Sequence, residues 1–394
     1  MTKILFISGS IGLGHIIRDI EIAKQLRKYK PDLQIDWIAV PPATTKLLEE
    51  GRNLLPISQQ FANENIIAES ISKNNQLNLS NYVYNSQKLW KTNVELFKKL
   101  TKETKYDLVI GDETYDLFEA IHANPGIKNA PFVMIFDFIG MDSTTNSPFE
   151  KFICYYFNYL WSREYYVSHM DLSLFIGEPE DVPNKPFGFL LPNRRAYAKR
   201  RMNFVGYIIS FNPDQYKDTS SLKQKLGYSQ GPLVLCTVGG TSVGRELLEL
   251  CCDSYSYLKQ KKSDIQMVAV AGPRIDKDSL VVDPEIKVFG YLKDLFMHIA
   301  ASDVVITQGG GTTTLEIAAL RKPFLYFPIE SHFEQTVHVA GRLMRHGVGV
   351  MMKFSETSPE ELAERVLNLL GTKPKCSLPI DGADKAARLI TELI

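Results

Sequence analysis

Short β-branched and apolar runs alternate along this chain with longer amphipathic stretches, a pattern that predicts a parallel α/β architecture. In the first half the runs fall at 4–7, 34–40, 107–111 and 132–137; in the second they fall at 233–236, 266–271, 287–289, 304–307 and 324–327. Each is nearly continuous in apolar residues rather than alternating, as expected of strands covered on both faces. The two halves begin alike. Ile4–Ile7 leads into a glycine-rich loop at 9–14, Leu233–Cys236 leads into another at 239–244, and a helical stretch comes after each. A repeated strand, glycine loop and helix predicts two doubly wound domains facing a cleft. The boundary is expected at 203/204, after a polar stretch holding Pro183, Pro186 and Pro192.

Length and charge narrow the classes. At 394 residues the chain exceeds one ordinary core and suits two domains. With 45 basic and 45 acidic residues the formal net charge is zero, so no global field argues for nucleic acid. No apolar run reaches the length of a membrane span, and the N-terminus enters a strand directly without a signal-peptide core. Cys154, Cys236, Cys251, Cys252 and Cys376 lack metal-site or disulfide-framework spacing and are expected as free thiols, which gives a cytoplasmic location.

The stretch most informative about chemistry is Gln308-Gly309-Gly310-Gly311-Thr312-Thr313-Thr314-Leu315-Glu316. It joins the strand 304–307 to a helix-like segment. Glycines let a ligand approach the backbone, and the unpaired N–H groups and positive dipole end of the new helix favour an anion. Threonine hydroxyls can cap the helix or bond phosphate oxygens. Beyond it come another strand, Phe324–Phe327, and a polar loop containing Glu330, His332, Glu334 and Gln335.

This order of elements resembles the donor-binding half of the GT-B glycosyltransferases, two Rossmann-like domains, among them the plant and macrolide enzymes and the N-acetylglucosaminyltransferase class that forms lipid II. The plant signature reads His-Cys-Gly-Trp-Asn-Ser-Thr-x-Glu and, after a further strand, Asp-Gln. The resemblance places Gln308 at the His position, Gly310 at the Gly, Thr312 and Thr313 at the Asn-Ser pair, Glu316 at the Glu, and Glu334-Gln335 at the Asp-Gln. It implies that Gly311, Thr312 and Thr313 hold the diphosphate, Glu316 the ribose hydroxyls, and Glu334 and Gln335 the sugar hydroxyls. A carboxylate can accept from two vicinal hydroxyls and an amide both donates and accepts. Gln308 offers a neutral donor where the family has a cationic contact, and Arg274 is a candidate to replace that charge. A solvated helix face for Glu316 and a plain surface role for Arg274 stand as alternatives.

In the first half, Gly9-Ser10-Ile11-Gly12-Leu13-Gly14-His15 sits between a strand and a helix over 17–28. Its glycine spacing fits a dinucleotide fingerprint poorly, and the second strand ends without the acidic residue that such a site places on the ribose. The loop resembles instead the first loop of the same glycosyltransferases, where the histidine acts as general base on the acceptor hydroxyl, paired with an aspartate at the end of a later strand. That implies a base role for His15 and a partner role for Asp112. An imidazole can take the proton as the bond forms, and a carboxylate holds the ring. Binding of acceptor without base function is the alternative for His15, and Glu113 and Asp137 are rival carboxylates.

Gly240 and Thr241 resemble a loop that closes over donor and acceptor in the lipid II-forming class; a tight strand-to-helix turn is the other reading. Tyr291 stands where relatives hold the nucleobase, or is core. The aromatic run 152–161 and the basic run 194–201 suggest seating for a small-molecule or lipid-linked acceptor with peripheral membrane contact, against the plainer reading of a core helix and a solvated linker. The resemblance implies transfer of a sugar from a nucleotide diphosphate, UDP or TDP, to a hydroxyl or amine. It implies inversion, no metal and no cofactor beyond the donor, with a last helix, 376–394, crossing back to the first domain. A nucleotide-sugar epimerase and a non-catalytic binding subunit on the same fold are the rivals. The oligomeric state is not written in the chain.

Overall fold

The computed structural model describes the chain apart from residues 10–12, 64–65, 67–71, 74–75, 78, 164–167, 241 and 331, with backbone alone at 72–73, 76–77 and 79–88. It divides into two compact units, one formed by 1–71, 78–210 and 379–394 and the other by 72–77 and 211–378.

The first unit is built on strands β1 (Lys3–Ile7), β2 (Gln34–Ile38), β3 (Asn53–Leu54), β6 (Leu108–Asp112), β7 (Phe132–Phe136), β8 (Leu172–Ile176) and β9 (Asn203–Gly206). They lie in the order β3-β2-β1-β6-β7-β8-β9, and every pair is parallel. The intervening β4 (Ser72–Lys73) and β5 (Gln76–Leu77) form a separate antiparallel pair. The second unit uses β10 (Leu233–Thr237), β11 (Gln266–Val270), β12 (Lys287–Phe289), β13 (Val304–Gln308), β14 (Phe324–Phe327) and β15 (Val350–Met351) in the order β12-β11-β10-β13-β14-β15, again parallel throughout. Strands such as Phe132–Phe136 and Leu233–Thr237 are buried at every position, the physical reason for their unbroken apolar sequence.

In both sheets the order reverses beside the first strand, between β1 and β6 in one and between β10 and β13 in the other. Two connections leave such a junction in opposite directions, which opens a crevice at the carboxyl ends of the strands.

Strand β9 spans the expected 203/204 boundary, because its chain continues the first sheet to Gly206 before leaving it. The helix Gly382–Thr391 belongs to the first unit. Its Ala386, Ala387 and Ile390 are buried in one cluster with Ile16, Ile20 and Ala23 of the helix Gly14–Tyr29. Tyr29 Oη donates to Asp384 at 2.5 Å and accepts from Arg388 Nε at 2.8 Å. Gly382 is needed there, since a Cβ would lie 2.7 Å from the carbonyl oxygen of Tyr207.

The basic run is not a solvated linker. Residues Arg194–Arg201 form a helix whose Arg194 is buried and donates to Asp142 at 2.8 and 3.0 Å and to the carbonyl of Met141. The aromatic run is the helix Pro148–Ser162. Its inner side buries Cys154, Asn158 and Trp161, while Phe152 is 65% and nearby Phe189 80% exposed.

Candidate functional site

At the β1–β6 junction the chain ends of two adjacent strands bring titratable groups together. His15 and Arg18 stand one turn apart on the first helix, hence on one face. Arg18 crosses to the end of β6 and takes both oxygens of Asp112, Nε to Oδ2 at 2.7 Å and Nη2 to Oδ1 at 2.5 Å, while Nη1 reaches Asp137 Oδ2 beyond β7 at 2.8 Å. A fork with donors on several nitrogens is what lets one side chain tie two strand ends. His15 Nδ1 lies 3.2 Å from Asp112 Oδ2 and 2.7 Å from Arg18 Nη2, and its Nε2 is 3.8 Å from Glu113 Oε2. Gly9 makes this possible: a Cβ there would sit 2.7 Å from His15 Cγ. Residues 10–12 of the loop lie outside the described residues.

Burial sets the electrostatics of the cluster. Burial alone would raise the Asp112 carboxyl, but the Arg18 guanidinium outweighs it and holds it well below the usual carboxylate range. Burial likewise opposes ionisation of Asp137, and Arg18 again overcomes it. For Arg18 burial works against the cation, and Asp112 and Asp137 more than compensate. Behind this cluster Asp19 is fully buried and accepts from Ser8 Oγ at 2.6 Å; burial first and the Asp112 charge second push its carboxyl well above the usual range. Glu113 has φ +48°, a left-handed conformation that costs a glutamate about 1–2 kcal/mol. Its Oε1 accepts from Tyr115 Oη at 3.3 Å and from the Asp137 N–H at 3.4 Å.

At the β10–β13 junction the same topology carries different groups. Strand β13 ends at Gln308, which is buried, and the helix Gly311–Ala319 begins three residues later. Gly310 is open around its Cα, and Thr312 and Thr313 are half-buried in the first turn, whose N–H groups have no intrahelical acceptor. Thr314 turns inward, its Oγ1 donating to the carbonyl of Gly310 at 2.8 Å. Glu316, one turn past Thr312, is only 5% exposed, which removes the solvated-face alternative. Gly309 is tightly enclosed: a Cβ there would stand 3.0 Å from Pro328 Cα and 3.2 Å from Gln335 Oε1.

Glu334 and Gln335 open a π-helical segment, Glu334–Val339, a geometry that recurs at functional sites. Gln335 Oε1 accepts from the Ile329 N–H at 2.8 Å, which leaves the amide nitrogen as its donor. Arg274 comes after β11 and Tyr291 after β12, both half-buried at the carboxyl edge of the sheet. Gly240 is half-buried after β10, next to Gly239 at φ +82°, whose carbonyl oxygen would be 2.3 Å from a Cβ on Gly272; Thr241 lies outside the described residues.

Three residues went unrecognised in the sequence. Arg18 and Asp19 lie inside an ordinary helical stretch. Arg342, on the helix Ala340–His346, is 4% exposed with Nη1 4.0 Å from the position of a Cβ on Gly311, so the guanidinium beside this helix N-terminus is Arg342. Among the described residues no cluster of His, Cys, Asp and Glu is arranged to hold a metal ion, and no helix is long and apolar enough to cross a membrane.

Residues 234–391 match the glycosyltransferase family 28 C-terminal domain, from β10 through the final helix. An uncharacterized glycosyltransferase of Methanopyrus kandleri is 32% identical over 191 residues, 48% of this chain and 53% of that protein. The chain thus spans about half the length of this relative, and less of two from Methanosarcina. The Clostridioides difficile UDP-N-acetylglucosamine–N-acetylmuramyl-(pentapeptide) pyrophosphoryl-undecaprenol N-acetylglucosamine transferase is 24% identical over 385 residues, 95% of this chain and 82% of that one. Among solved structures, the glycotransferase of kitacinnamycin superposes with a TM-score of 0.62 at 14% identity, covering 100% of this chain and 99% of the other.

Proposed function

On a two-domain GT-B fold whose second half carries the glycosyltransferase family 28 C-terminal domain, we propose that this chain is a nucleotide-sugar-dependent glycosyltransferase. The observation that carries the reading is the β10–β13 junction, where glycines, threonine-rich first turn, buried Glu316 and Arg342 converge on one helix N-terminus. A diphosphate there faces backbone N–H groups and the positive end of the helix dipole, which stabilise the charge that develops on the leaving group without a metal ion. Glu316 takes the ribose hydroxyls, Gln335 and Glu334 the sugar, and Tyr291 the base of a UDP or TDP donor. Gln308 and Gly240 lie at the same carboxyl end of the sheet, and Arg274 is a second cation.

His15 works on the acceptor in the first unit, and Asp112 sets it through Arg18, which it binds with both oxygens. The acceptor oxygen attacks the anomeric carbon as the diphosphate leaves, with inversion. Similarity to an enzyme whose name specifies a pyrophosphoryl-undecaprenol substrate, together with the exposed aromatic face of the helix Pro148–Ser162, supports a lipid-linked acceptor and contact with a membrane surface from the cytoplasm.

Calorimetric titration with UDP, TDP, GDP and ADP tests the donor half. UDP or TDP is expected to bind, and Glu316→Ala to weaken that binding by about 10-fold or more, the worth of charged hydrogen bonds to two hydroxyls. Absence of binding by any diphosphate would leave a non-catalytic subunit, and interconversion of sugar nucleotides without acceptor would reveal an epimerase.

A further inference from the structure

The position of Arg18 constrains what His15 can do. A guanidinium only donates hydrogen bonds. With Arg18 Nη2 at 2.7 Å from His15 Nδ1, that nitrogen accepts; a proton on Nδ1 would set two N–H groups against each other at the same distance. Asp112 Oδ2 stands farther off, at 3.2 Å, and already accepts from Arg18 Nε, so the shorter contact decides the role of Nδ1. The neutral imidazole therefore carries its proton on Nε2, which faces Glu113 Oε2 at 3.8 Å. Glu113 is set for this by its left-handed backbone, and its other oxygen is anchored by Tyr115 and by the Asp137 N–H.

We propose that Glu113 is the group that receives the acceptor proton, and that His15, fixed as its Nε2–H tautomer by Arg18, orients the acceptor hydroxyl. This rests on the glycosyltransferase reading above. A hydroxyl oxygen seated over the gap accepts from Nε2–H and donates to Glu113 Oε2, since two contacts of about 2.8 Å span that separation. In the transfer step the hydroxyl oxygen forms its bond to the anomeric carbon while the bond from that carbon to the diphosphate oxygen breaks, its electron pair leaving with the diphosphate. The hydroxyl proton passes to Glu113 Oε2. Glu113 is then a catalytic residue, and Arg18 a positioning residue that acts through His15.

Two measurements on the full chain test it. The first is the tautomer of His15, from long-range nitrogen–proton correlations of histidine-labelled protein. The second is release of UDP from UDP-N-acetylglucosamine, with water as acceptor, in Glu113→Gln, His15→Gln and His15→Ala. The Nε2–H tautomer is expected. Glu113→Gln should lose about 10²-fold or more in kcat with unchanged UDP binding, whereas His15→Gln, whose amide restores a donor near the place of Nε2, should keep turnover well above His15→Ala. An Nδ1–H tautomer in wild type, or a Glu113→Gln variant within a few-fold of wild type, overturns the proposal and leaves the glycosyltransferase reading standing. A protein that binds none of UDP, TDP, GDP and ADP defeats both.

Discussion

At the β1–β6 junction the chain gathers an arginine, a histidine and buried aspartates, whereas at the β10–β13 junction, with the same strand order, it places glycines, threonines and the open end of a helix. The first arrangement takes charges out of water and must pair them; the second presents backbone N–H groups that the fold leaves without intrahelical acceptors in any case. Under the proposed function, proton handling and anion binding would be built on one topology by the residues at and beyond the strand ends, with Arg18 and Arg342 added from helices. One consequence concerns stability. The first site is part of what holds its unit together, whereas the half-buried threonines of the second can be altered at little cost to folding, its buried Glu316 and Arg342 excepted.

Asp112→Ala should break this comparison most visibly. It strips the buried Arg18 of its bidentate partner, and removal of one member of a buried pair costs about 3–5 kcal/mol. The thermal transition of the first unit, followed by calorimetry, should fall while that of the second stays in place; equal losses in both would show that the network is not local. By contrast Thr312→Ala, at a half-buried first-turn position, should leave both transitions within about 0.5 kcal/mol and weaken UDP binding a few-fold.

Gly9→Ala separates positioning from stability in the first site. Its Cβ would overlap the His15 ring, which must swing away from Arg18 and Asp112. Turnover should drop by about 10-fold or more with UDP affinity unchanged, because a displacement of about 1 Å at a reacting group is enough for such a loss. A Gly9→Ala enzyme of wild-type turnover would mean that His15 does not touch the acceptor.

Much of this was legible in the sequence, for a definite reason. Asp112 and the 308–316 stretch begin at strand ends and His15 comes just after the glycine loop that leaves β1, so a change from apolar run to polar loop marks each place. Arg18 was not, because an arginine within a helical stretch looks like any solvated residue and its partner is 94 positions away. Arg342 is hidden in the same way. The left-handed turn at Glu113 has no residue signal, since a glycine would be its usual marker. The aromatic run showed a helix, but not that Trp161 would be buried while Phe152, Tyr155, Tyr156 and Tyr159 face solvent. The 203/204 boundary fell inside β9 because proline and polar residues mark a loop, and this loop precedes the last strand of the sheet rather than coming after it.

The smallest effect expected is also the one whose sign separates the buried carboxyls. Asp112 and Asp137 are held below the usual range, so the stability they contribute is present above the unfolded carboxylate value near 4 and is lost as pH falls through their folded values. Asp19 is displaced the other way: above about pH 4 the unfolded carboxyl has released a proton that the folded one retains, so this residue makes the fold less stable as pH rises. Asn at 19 can accept from Ser8 and donate toward Asp112 with no proton to lose. Asp19→Asn should therefore raise the transition temperature of the first unit at pH 7, by an amount that shrinks toward pH 4. A gain independent of pH would point to packing instead, and a loss at every pH would mean that Asp19 is ionised in the folded protein.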